Sequence, residues 1–194
     1  MSSLAPKYAM YALNKPTDQL YHTIDLFLDL TCPFSAKMWK TLVENNVLSS
    51  YKNVQFIFRH QIQPWHAQST LLHTALIAVA KHHSEKFQKA ASVLFNYQQE
   101  FFDAQVKELT FLQIYEKAIQ LLKKECEISL DIDQFKVGQG NSGNSFVDDL
   151  KYHIKYARKH AVHVSPTVFV NGLEEPSISS SWTNEQWKEF LTKL

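Results

Sequence analysis

The stretch Tyr21–Asn46 constrains this chain more than any other, because it runs from a strand through a Cys-Pro turn into a helix. Ile24, Leu26, Leu28 and Leu30 alternate with Asp25, Phe27 and Asp29, the period-2 pattern of a strand with one strongly apolar face. Cys32-Pro33-Phe34-Ser35 follows, and Pro33 falls where a first helical residue belongs. Proline suits that position because its fixed φ is helical and its missing N–H would have gone unpaired. Phe34, Met38, Trp39, Leu42 and Val43 then recur at helical spacing, so the helix has a face to bury. A cysteine at a helix start meets unpaired N–H groups and the positive end of the dipole, which favour a thiolate. The plain alternative is that Cys32 is a small buried hydrophobe.

The rest of the composition narrows the partners. The 194 residues are 45% hydrophobic and 20% charged, as expected of an ordinary globular chain. A net charge of +1 with no Lys/Arg run argues against nucleic acid or an anionic membrane as partner. Met1–Asn14 has no apolar core of signal-peptide length, and no run approaches membrane-spanning length. With only Cys32 and Cys126, far apart in sequence, a reducing compartment such as the cytoplasm is the expectation. Thr192-Lys193-Leu194 differs from the Ser-Lys-Leu peroxisomal address at its first residue and keeps that compartment open.

Along the chain, Tyr8–Leu13 reads as an edge strand ahead of the main one. Val54, Phe56 and Phe58 alternate with Gln55, Ile57 and Arg59, a second strand. Strand, helix, strand at this length is a βαβ unit with parallel strands. From Pro64 to about His160 the strand signal vanishes. Helical faces follow through Leu72–Val79, through Phe87–Phe95 continuing to Phe101-Phe102, and through Leu112–Leu122. A short helix near Ile132–Val137 and a longer one from Ser145 to His160 complete an insertion too apolar to be linker. Strand signal returns at Val164–Val170, closed by the hairpin signal Asn171-Gly172, with Ile178–Ser180 as the returning strand. Thr183-Asn184-Glu185-Gln186 is a capping box that opens a last helix, with Trp187, Phe190 and Leu191 inward.

The order β-α-β, helical block, β-β-α resembles the thioredoxin fold in its DsbA-like branch, from Tyr21 to Leu194. Two separated motifs carry the likeness: Asp29-Leu30-Thr31-Cys32-Pro33-Phe34-Ser35 and Val164-Ser165-Pro166-Thr167. It implies an α/β thioredoxin-like fold with a large all-helical insertion between the βαβ and ββα halves. Residues 1–62 and 163–194 would form the thioredoxin-like domain, and 63–162 the helical insertion. It also implies a nucleophile at Cys32 and a cis Ser165–Pro166 bond packed against it. Dithiol enzymes of this fold use Cys-x-x-Cys, and here Ser35 stands where the resolving cysteine would be. Cys-Pro-Phe-Ser is also similar to the Ser-Pro-Tyr-Ser of kappa-class glutathione transferases and 2-hydroxychromene-2-carboxylate isomerases. Cys32 matches their first serine and Ser35 their second. Eukaryotic DsbA-like proteins of no assigned function share the pattern.

A thiol without a resolving partner can attack a disulfide but needs an external thiol to be released. The expected function is therefore monothiol thiol-disulfide exchange at Cys32, with glutathione as co-substrate and a small thiol or protein disulfide as substrate. The alternatives are a kappa-like glutathione transferase or isomerase, and a non-catalytic thioredoxin-fold binding protein. Ser35 lies one helical turn past Cys32, within reach of its sulfur, or else bonds backbone as first-turn serines do. Phe34, Trp65, His66, Ser165, Pro166 and Thr167 are the expected substrate or glutathione contacts. Pro64-Trp65-His66 follows the second parallel strand, and ligands sit beyond the carboxyl ends of such strands. His66 either polarises a thiol or merely bonds a turn. Glu125 and Glu127 flank Cys126 and disfavour its thiolate.

Nine histidines include His82-His83 and His160-x-x-His163, but no Cys/His spacing suits zinc, so no metal is expected. Gly138-x-Gly140-x-x-Gly143 matches the dinucleotide pattern without the required preceding strand, so no nucleotide is expected either.

Overall fold

The computed structural model describes residues 5–194. β1 (His22–Leu28) leads through α1 (Pro33–Glu44) and the single turn α2 (Val47–Ser50) to β2 (Val54–His60). The helical block is α3 (Ser69–His82), α4 (Phe87–Asn96), α5 (Asp103–Val106), α6 (Phe111–Cys126) and α7 (Val147–Lys159). β3 (Thr167–Val170), β4 (Leu173–Glu174) and α8 (Asn184–Thr192) complete the chain. The sheet order is β2-β1-β3-β4, with β1 parallel to β2 and antiparallel to β3. α6 and α8 both open on capping boxes, at Thr110/Gln113 and Thr183/Gln186. Each cap satisfies first-turn N–H groups that would otherwise lack partners.

The two faces of the sheet are covered differently. Ile24, Leu26 and Leu28 pair in register with Phe56, Phe58 and His60, and their face joins Met38, Trp39 and Leu42 of α1. That core continues without a break into α3, α4 and α6. The opposite face of β1 carries Asp25 and Phe27, and the alternation alone would leave it half-solvated. It is buried instead, since α7 lies across it. Phe27, Ala157, Val162 and Phe169 form a second apolar cluster with Tyr156 packed against it. On the same face Arg59 Nε donates to Asp25 Oδ1 at 2.6 Å, and the guanidinium stacks over the Tyr156 ring. Both charges are buried, so each depends on the other being present.

Three local expectations are corrected. Tyr8–Leu13 is not an edge strand: Pro6–Tyr11 is a 3₁₀ helix, and only Ala12 bridges to Ile57. The Asn14 side chain replaces the missing strand residue, donating to Val54 C=O and accepting from Phe56 N–H. Tyr11 turns inward against His60, Phe87 and His153. The helix at Phe87 does not reach Phe101-Phe102, because α4 ends at Asn96 and a 3₁₀ turn Gln98–Phe101 follows. The returning strand is Leu173–Glu174 rather than Ile178–Ser180. Pro176 has no N–H to continue the ladder, so the chain leaves the sheet and buries Ile178 in the core.

Candidate functional site at the start of helix α1

Cys32 is the residue that caps α1, with extended backbone (φ −84°, ψ 119°) and Pro33 next. The side chain makes no capping bond, which leaves the sulfur available. Sγ donates to the Ser165 carbonyl, 3.4 Å away in the loop before β3. The Ser165–Pro166 peptide is cis. Thr167 fastens this loop by donating from Oγ1 to Val164 C=O. Cys32 is 6% exposed, while large apolar side chains stand exposed two residues after it, at Phe34 (63%), and just before Ser165, at Val164 (57%).

The turn itself is held from below by Asp29, which is fully buried. Its Oδ1 accepts from Thr31 N–H, Thr31 O–H and Ser69 O–H, each at 2.8 Å, and its Oδ2 from Gln63 N–H at 2.9 Å. One carboxylate thus ties the end of β1, the loop after β2 and the first turn of α3 together. Burial alone would raise its pKa, but His73 beside it and the Thr31 donors more than offset that, holding it well below the usual carboxylate range. His66 Nδ1 stands 3.5 Å from Oδ2, too far for a good hydrogen bond. On the other side Gln98 donates to the carbonyls of Leu30 and Cys32 at 3.0 and 3.4 Å.

Beneath this lies a row of buried histidines. Leu30 N–H donates to His73 Nε2, so the proton on His73 sits at Nδ1 and points at His60 Nδ1, 2.7 Å away. His60 therefore carries its own proton at Nε2. Burial holds His60 well below the ordinary histidine pKa. Burial, with Arg59 nearby, lowers His153 to about 3. His60 and His153 pack in the interior as neutral imidazoles.

The expected residues separate into groups. Cys32, Ser165 and Pro166 come together. Ser35 does not join them through its sulfur-side contact: its Oγ accepts from Asp29 N–H at 3.2 Å, and no hydrogen bond links it to Cys32 among the described residues. As the third residue of α1 it faces the end of β1, where a strand N–H needs an acceptor. Trp65 and His66 diverge. His66 borders a recess of about 520 Å³ with Thr31, Pro33 and Phe102, while Trp65 borders a cleft of about 400 Å³ with Arg158 and His163. The expected single cleft is thus two recesses parted by one dipeptide. Cys126 is buried at the end of α6, and its burial, with Glu125, outweighs Lys89 and pushes its thiol up. The sequence does not reveal that Asp29, Ser69, His73 and Gln98 brace the turn. An acid in an apolar strand just before the cysteine was the one visible signal.

A family model described as Thioredoxin matches residues 20–193. The chain belongs to the thioredoxin family. Within that family its architecture is DsbA-like. It is similar to a protein-disulfide isomerase candidate from Pseudomonas syringae, at a TM-score of 0.74 and 23% identity, covering 94% of this chain and 98% of the other. BdbD from Bacillus subtilis superposes at 0.66 with 19% identity, covering 92% and 90%. DsbA from Mycobacterium tuberculosis gives 0.60 and 16%, covering 94% and 91%. At these identities the likeness establishes the thioredoxin-family fold with its helical insertion. No curated protein matches the chain in sequence.

Proposed function

We propose that the protein is a thiol-disulfide oxidoreductase that works through Cys32 alone, with glutathione as the resolving thiol. The observation that carries this reading is the sulfur at the start of α1, bonded across to the Ser165 carbonyl, with a serine one turn further on. Similar folds include a protein named as a thiol-disulfide oxidoreductase from Actinomyces oris, which supports the same class of chemistry here.

The reaction proceeds in two exchanges. The Cys32 thiolate attacks one sulfur of a mixed disulfide between a substrate and glutathione. A Cys32–glutathione bond forms, the original S–S bond breaks, and the substrate leaves as thiolate to take up a proton. A second glutathione thiolate then attacks the glutathione sulfur of that adduct. Glutathione disulfide leaves and the Cys32 thiolate returns, so one disulfide is made for each one broken. Ser35 cannot take the place of the second thiol, and Cys126 is buried. The Ser165 carbonyl and the exposed Phe34 and Val164 supply a backbone acceptor and apolar surface for the substrate.

Mass spectrometry after mixing with a glutathionylated peptide tests this directly. The expected result is one glutathione on Cys32, none in Cys32→Ser, and release of the adduct by free glutathione. Ser35→Cys, which restores the Cys-x-x-Cys spacing of the dithiol enzymes, should discharge the adduct without added thiol. An unlabelled Cys32, together with conjugation of glutathione to an electrophile, would replace this reading by the transferase.

A further inference from the structure

The cleft beside Trp65 has a charge character that the exchange chemistry leaves unexplained. It encloses about 400 Å³, within the size range of small-ligand sites. Its floor is apolar, from Ile154, Ala157 and Val162. Its polar wall carries Arg158 and His163, and no aspartate or glutamate lines it. Neither Arg158 nor His163 forms an ion pair or a side-chain hydrogen bond among the described residues. A guanidinium beside an apolar floor with no carboxylate to answer it is the complement of a ligand anion.

The position matters as much as the charge. His163 lies two residues before Ser165, whose carbonyl meets the Cys32 sulfur. Two extended residues span at most about 7 Å, and a tripeptide about 10 Å. A small thiol of tripeptide length can therefore place its sulfur at Cys32 and a terminal carboxylate in this cleft. Gln63 fixes the other rim, since Asp29 holds its backbone N–H, and Trp65 closes the side.

We infer that the Arg158–His163 cleft is the carboxylate subsite for the low-molecular-mass thiol that resolves the Cys32 adduct. The inference rests on the exchange reading above and names what selects its co-substrate. Arg158 gives a bidentate partner for the carboxylate, and His163 a second donor. The apolar floor and Trp65 shed water from the ligand backbone. An uncharged thiol has nothing to gain from this cleft and reacts on thiol chemistry alone.

The test uses full-length protein carrying a preformed mixed disulfide of Cys32 with 2-mercaptoethanol. Second-order rate constants for its release are measured with glutathione and with dithiothreitol, which bears no charge. In Arg158→Ala the ratio of the glutathione constant to the dithiothreitol constant should fall about tenfold, the worth of one charge-assisted contact. Arg158→Lys, which keeps the charge but not the two-pronged contact, should restore part of it. An unchanged ratio overturns the subsite. If no adduct forms at Cys32 with any disulfide, the exchange reading has failed, and calorimetry with S-methylglutathione judges the cleft separately. Binding that weakens about tenfold in Arg158→Ala supports the subsite, and no binding by the unsubstituted protein overturns it.

Discussion

Asp29→Asn is the substitution that should disturb this molecule most for the fewest atoms changed. The carboxylate accepts four hydrogen bonds at 2.8–2.9 Å while fully buried. Asparagine keeps the shape, but its Nδ2 is a donor and must face either the Thr31–Ser69 donors or Gln63 N–H. One contact becomes donor against donor, and the others lose their charge assistance. A hydrogen bond to a charged group contributes roughly 1.5–3 kcal/mol, about twice a neutral one. One bond lost and three halved, with relaxation and water entry recovering part, leaves a cost of about 3–5 kcal/mol. For a chain of this size that lowers the melting temperature by on the order of 10 °C. The folded-state pKa of Asp29 lies below its unfolded value, so its contribution is present above about pH 4 and fades as pH falls through the folded value. Asp29→Asn should therefore also flatten the acid limb of stability below about pH 4. Urea unfolding of both proteins from pH 2 to pH 7 measures both effects. A loss under about 1 kcal/mol at pH 7 would show that the carboxylate does not brace the turn.

Other outcomes follow from the same geometry. His153, lowered to about 3 by burial, binds fewer protons folded than unfolded, so stability should fall by about 2 kcal/mol between pH 7 and pH 5 from this residue alone. His153→Phe should remove that slope, and an unchanged slope would count against the buried neutral ring. Iodoacetamide should label Cys32 well ahead of Cys126, which burial both shields and holds as thiol. Peptide mapping reads the order, and faster labelling at Cys126 would move the site elsewhere. Gln98→Ala should cost about 1–2 kcal/mol, by leaving the Leu30 and Cys32 carbonyls without their partner. Equal stability would mean that water replaces the amide at no cost.

Much of this arrangement could be read from the residues. Alternation through Ile24–Leu30, proline after Cys32 and a second strand at Val54–Phe58 specify a βαβ unit, because side-chain period and proline geometry are local properties. The capping box at Thr183 is equally local, since its partners lie three residues apart. What stayed hidden depends on distant neighbours. Whether the Asp25–Phe27 face of β1 meets solvent is decided by α7, more than a hundred residues later. Ser35 could serve the sulfur or the backbone, and the N–H left at Asp29 by the end of β1 decides it. Asn14 replaced a strand with a side chain, which no periodicity can signal. Trp65 and His66 follow β2 in sequence, but the way these adjacent side chains part between two recesses follows from the α7 and Phe102 surfaces.

The central claim is that a single sulfur performs both exchanges through a covalent intermediate. Initial-rate kinetics test it most directly, with a glutathionylated peptide and glutathione varied against each other. Since the first product leaves before the second thiol attacks, double-reciprocal plots should give parallel lines, and Cys32→Ser should have no rate above the uncatalysed exchange. Intersecting lines, or a Cys32→Ser rate equal to that of the unsubstituted protein, would contradict it.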